Sequence, residues 1–156
     1  MNEQESPVEV RARQLNELCR TRSLEHQWSH HRYRRRSAWL TGVGAVSGAL
    51  AGGTLLSGSN PGTAMSYFIG TVSALGAIAV ALEAKLRLHE RSEAHQKAAI
   101  SFGALGTAYY DVAFRQRANA GELNGISELT KRQEKLENNS LLPEPWAIKK
   151  QRRQGC

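Results

Sequence analysis

The stretch SAWLTGVGAVSGALAGGTLLSGSNPGTAMSYFIGTVSALGAIAVAL, residues 37–82, holds no Asp, Glu, Lys, Arg or His over 46 positions, although charged residues crowd both ends of the chain. It divides at Ser57-Gly58-Ser59-Asn60-Pro61-Gly62-Thr63 into two apolar segments, 37–56 and 64–82. Each is about 20 residues long, the length at which a helix crosses a bilayer core of about 30 Å. A soluble surface helix carries one apolar stripe. Both segments are instead apolar or small on every face, and the rest of a 156-residue chain is too short to enclose them. Inside a bilayer each segment must satisfy its own backbone polar groups, which two helices joined by a Gly/Asn/Pro turn achieve. The expected fold is therefore an all-α membrane protein: a two-helix transmembrane hairpin whose N- and C-terminal cytoplasmic helices form a small bundle. Its regions are a helical arm with a basic juxtamembrane cluster (1–36), the hairpin (37–82), a cytoplasmic helical hairpin (83–140) and a Pro-containing basic tail (141–156).

Orientation follows from the flanks. Arg32, Arg34, Arg35 and Arg36 stand just before the first segment, and Lys85, Arg87, Arg91 and Lys97 follow the second, while the connecting turn is uncharged. By the positive-inside rule both termini are cytoplasmic, and Trp39 and Tyr67-Phe68 fit aromatic belts at the two interfaces. With the polar arm preceding the first segment, an N-terminal signal peptide is not expected. The net charge of +7 is carried wholly on the two flanks. Its clusters, with Arg32, Arg34, Arg35, Arg36, Lys85 and Arg87 foremost, sit where anionic head groups lie, which makes the lipid bilayer the expected partner and sets nucleic acid aside.

The flanking helices have readable signals. Ser6-Pro7-Val8-Glu9 offers a cap, a Pro at the first helical position and a carboxylate in the first turn. A break is expected near Thr21-Arg22-Ser23. After the second segment no Pro occurs before Pro143, so the helix is expected to continue far into the cytoplasm, supported by a Glu83–Arg87 pair at i,i+4. Phe102, Leu105, Tyr109 and Val112 step by 3, 4 and 3. That is a seam for a partner helix. After a turn at Asn119-Ala120-Gly121, Ile126, Leu129, Gln133 and Leu136 repeat the pattern. The two seams should pair antiparallel across the short turn. The prolines of Leu141-Leu142-Pro143-Glu144-Pro145-Trp146 predict an extended tail whose Trp146 docks on the bundle.

No catalytic constellation is present in the sequence, and neither a cofactor nor a metal is expected. Cys19, His26, His30 and His31 lack the spacing of a tetrahedral set and read as the solvated face of an interfacial helix. Two cysteines, Cys19 and Cys156, fit a reducing compartment. The glycines speak to packing instead. Gly44, Gly48 and Gly52 recur every four residues, and Ser66, Gly70 and Ala74 do so on the second segment, so helices can approach closely on these faces. They serve either the packing of the hairpin on itself or its assembly into a homo-oligomeric ring. Ser47 with Thr54, and Ser66 with Ser73, each seven apart, would give such a ring a mildly polar lumen.

The layout also resembles a known family. Trp28 in a basic helix precedes the uncharged hairpin, His95-Gln96-Lys97-Ala98-Ala99 leads to Tyr109-Tyr110, and Leu142-Pro143-Glu144-Pro145-Trp146 closes the chain. From about Leu15 to Lys149 this is similar to the SLATT domain, the two-transmembrane effector associated with SMODS nucleotidyltransferases and SLOG nucleotide-sensing proteins in bacterial conflict systems. The resemblance implies a multi-pass protein of the bacterial inner membrane that is not an enzyme. It further implies a nucleotidyltransferase or nucleotide-sensing partner and a membrane-permeabilising response to a nucleotide signal or infection sensor. A holin-like pore former and a passive membrane anchor or scaffold are the alternatives. A holin lacks patterned cytoplasmic seams, and an anchor would tolerate leucine in place of its glycines.

Overall fold

A computed structural model describes residues 7–56, 62–115 and 123–154. Among the described residues the fold is all-α, with five helices: α1 Pro7–Leu56, α2 Thr63–Leu86, α3 Leu88–Arg115, α4 Leu123–Asn139 and α5 Pro145–Gln154. They contribute to two compact units, Met1–His30 with Glu93–Cys156, and His31–Ser92. The turns expected at 57–61 and 119–121 lie outside the described residues.

In the first unit, the early part of α1 runs antiparallel to α3. As the α1 position rises from Asn16 through Ser23 to His26, its α3 partner falls from Gly106 through Ala99 to His95. α3 and α4 are antiparallel too, with Tyr109 donating its hydroxyl to Gln133 Oε1 at 3.2 Å and Val112 meeting Gly125. The core consists of Cys19, Ala98, Phe102 and Tyr109, with Leu15, Leu105, Ile126, Leu129 and Leu136 packed against it. The two seams thus meet, and a third wall comes from Leu15 and Cys19 of α1.

Three local expectations are corrected. No break occurs at Thr21-Arg22-Ser23, because no Gly or Pro stands between Val8 and Thr41, and Ser23 gives its hydroxyl to the Ala99 carbonyl at 2.8 Å instead of competing for its own backbone. The second apolar helix does not run on through residue 87. Arg87 adopts the left-handed conformation (φ 47°, ψ 44°) and ends α2, after which the buried Leu88 opens α3. Glu83 accordingly accepts from Ser37, and Arg87 faces Glu90 at 3.5 Å, so the pairing of Glu83 with Arg87 does not form. Finally, the tail is extended only through Glu144. The Glu144 carbonyl accepts from the N–H groups of Ala147 and Ile148, and Pro145, whose missing N–H costs nothing at a first helical position, begins α5. The tail docks through buried Pro143 and Ala147, through Ser29 Oγ accepting from Glu144 N at 3.3 Å, and through Lys150 Nζ 4.3 Å from the Trp28 ring centroid. Trp146 itself is half-buried and bonds Glu144.

Candidate functional site

The second unit, His31–Ser92, contains the uncharged stretch. Gly62 starts α2 by accepting from the N–H groups of Met65 and Ser66. Among the described residues one helix, Ala64–Leu86, is long and apolar enough to cross a membrane by length and composition. Its apolar side chains are largely uncovered: Tyr67 is 76% exposed, and Met65, Phe68, Leu75, Ile78 and Val80 are each more than half exposed. Trp39, Val46 and Leu50 of α1 are exposed as well.

Contact between the two helices is narrow and antiparallel. As the α1 position rises from Ser37 to Gly44 to Ser47, the α2 partner falls from Glu83 to Val80 to Gly76. A Cβ on Gly76 would stand 2.3 Å from Ser47 Cβ, and one on Gly44 would stand 2.6 Å from Val80 Cγ2, so both glycines are required by close approach. A Cβ on Gly48, Gly52 or Gly70 would meet nothing within 4 Å, so these three face open space within the chain. Ser47 is buried against Gly76. Ser66 is exposed, and Ser73 is half-buried with its hydroxyl donated to the Ile69 carbonyl at 2.8 Å. The side chain of Thr54 lies outside the described residues. Arg34, Arg35, Arg36, Lys85 and Arg87 are exposed and Arg32 is half-buried.

The first unit holds a buried polar row that the sequence pattern does not announce. Ser23, Glu25, His26, Ser29, His95 and Gln133 are all buried there. His26 and Cys19, expected on a solvated face, are 1% and 0% exposed. They point at α3 and α4 because α1 remains helical through Ser23 and keeps one stripe inward. His26 Nδ1 lies 3.0 Å from His95 Nδ1, so one ring donates its proton to the bare nitrogen of the other. His26 also stacks on Phe102 at 5.5 Å. Burial, and then the nearby His95 and Arg22, push the His26 pKa down to about 4. Glu25 is held by Arg22 at 3.1 Å. Burial and the charge of Glu137 push the Cys19 thiol up to about 11, and burial raises the Tyr109 phenol. His26, Cys19 and Tyr109 are thereby kept neutral and hydrogen-bonded, which suits a specific core. Among the described residues no three His, Cys, Asp or Glu side chains gather where they could hold a metal ion.

Of the seam residues, Phe102 and Tyr109 are buried, and Leu105, Val112, Ile126, Leu129 and Leu136 are half-buried. The pairing of His26 with His95 spans 69 positions and leaves no local trace in the sequence. Compared with known proteins, the chain matches no family model, no curated protein and no solved structure.

Proposed function

We propose that this protein is a SLATT-type membrane effector of a bacterial conflict or anti-phage system. Its two apolar segments cross the inner membrane as a hairpin with both termini cytoplasmic, copies associate through their open glycine faces, and the assembly permeabilises the membrane. The trigger is a nucleotide signal, or a nucleotidyltransferase or nucleotide-sensing partner, received by the cytoplasmic helices. The observation that carries this reading is the contrast between the units. One buries a polar and aromatic core, while the other carries the uncharged stretch 37–82 with Trp39, Val46, Leu50, Met65, Tyr67, Phe68, Leu75, Ile78 and Val80 exposed, the kind of contiguous apolar surface that marks a membrane or partner contact. Gly44 is used within the chain, whereas a Cβ on Gly48 or Gly52 would meet nothing within 4 Å, so these two can offer a second copy a smooth surface.

The test is Gly48→Leu. Wild-type protein, overproduced or triggered, should depolarise the inner membrane and arrest growth, and the variant at equal membrane abundance should do neither. Equal toxicity would remove the glycine face from the mechanism. Full membrane insertion with no depolarisation under the cognate trigger would favour the anchor or scaffold role.

A further inference from the structure

Within the unit His31–Ser92, the residues of α1 at spacings of three and four, Arg32, Arg35, Arg36, Trp39 and Leu40, share one helix face. They line a groove of about 580 Å³ whose remaining wall is Leu86 and Leu88, the residues on either side of the left-handed Arg87. Three guanidinium groups therefore open onto the same space as an indole and three leucines. Leu88 is buried in the wall, while Trp39 and Leu86 keep 68% and 44% of their surface uncovered. The arginines lie just before the uncharged stretch and Trp39 just inside it.

We propose that this groove holds an anionic phospholipid, with its phosphate on Arg32, Arg35 and Arg36 and the first part of an acyl chain along Trp39, Leu40 and Leu86. The assignment deepens the membrane reading above and rests on it. Guanidinium forks match phosphate oxygens two at a time, which ammonium groups do not. Basic pockets between helices at the cytoplasmic face characteristically take lipid head groups. An acidic peptide or a free phosphate would satisfy the arginines and leave the apolar wall uncovered. A phospholipid carries both chemistries joined at short range, so its charge and its chain are each complementary to part of the groove.

The experiment uses the full chain in mild detergent, loaded from mixed phosphatidylglycerol and phosphatidylcholine micelles and read by native mass spectrometry. Wild-type protein should retain phosphatidylglycerol in preference to phosphatidylcholine. Arg35→Lys with Arg36→Lys preserves charge and the orientation signal but removes two forks, and should lower the retained fraction about tenfold. Unchanged retention in that variant, or equal retention of the two lipids by wild type, overturns the proposal. Release of phosphatidylglycerol by added inorganic phosphate shows a head-group site without an acyl-chain contribution and also overturns it. Membranes washed with alkaline carbonate separate the two levels. A chain that stays in the pellet without lipid preference removes this inference alone, whereas a chain released to the supernatant removes the membrane reading and this inference with it.

Discussion

At His26 the neutral ring is favoured by burial, then by the charge that His95, 3.0 Å away, can carry, and by the positive charge of Arg22. A positive charge on this ring would be buried and would lie beside both His95 and Arg22. The unfolded chain takes up a proton at this histidine near pH 6.5, whereas the folded chain resists until about pH 4. Protonation between those values therefore favours unfolding, so stability is complete above about pH 6.5 and declines as the pH falls toward 4. At about 1.4 kcal/mol for each pH unit below 6.5, the loss is about 2 kcal/mol by pH 5 and on the order of 3 kcal/mol by pH 4. Unfolding of the solubilised protein at neutral pH and near pH 5 should show it. His26→Gln, which keeps a hydrogen-bonding partner for His95, should flatten the difference, and an unchanged acid sensitivity in that variant would place the effect elsewhere. Such a pair is hard to see in a sequence. The histidines and arginines around Trp28 look solvated when read locally, and only the partner at position 95 marks His26 as the one that faces inward.

Among the elements, the seams were the most legible part: Phe102, Tyr109, Leu129 and Leu136 recur at helical spacing, and all belong to the core that forms. The helix ends were less so. Arg87 has no glycine or proline to announce a left-handed turn, and Pro145 reads equally as an extender or as a helix start until Glu144 is seen capping it. Gly76 carries no more signal than its neighbours, yet it is one of the two glycines at the contact of α1 with α2, whereas Gly48 and Gly52 stand out in sequence and a Cβ on either would meet nothing within 4 Å. The two kinds of glycine should be separable by experiment. Gly76→Leu overpacks the contact at Ser47 and should destabilise the helix pair by about 1–3 kcal/mol, seen in denaturation of the detergent-solubilised protein by circular dichroism. Gly48→Leu should leave that transition in place. An equal shift in both would mean that the pair is not held at Gly76.

For the whole molecule, the proposed topology makes a direct statement about sidedness. Reporters fused before Asn2 and after Gln154 should both be active in the cytoplasm, and Ser59→Cys should react with an impermeant thiol reagent from the periplasm. A protected Ser59→Cys with either terminus labelled from outside would overturn the hairpin. The apolar stretch is legible because charge is absent over a long run, a property that needs no knowledge of contacts. The groove between Arg32 and Leu88 is not, since its walls come together only through the turn at Arg87. One bond gives the hairpin a further property. Ser37 is the first residue of the uncharged run and Glu83 the first charge beyond it, and the hydroxyl of one is bonded to the carboxylate of the other at 2.9 Å. The run is therefore clasped at its open end like a caliper, with jaws of 20 and 19 residues, 37–56 and 64–82. Deleting one residue between the clasp and the Gly44 or Gly76 contact would swing everything beyond it by about 100° and disengage the jaws. Residues added at the tip disturb neither fastening, so the reach of the caliper is adjustable only from its far end.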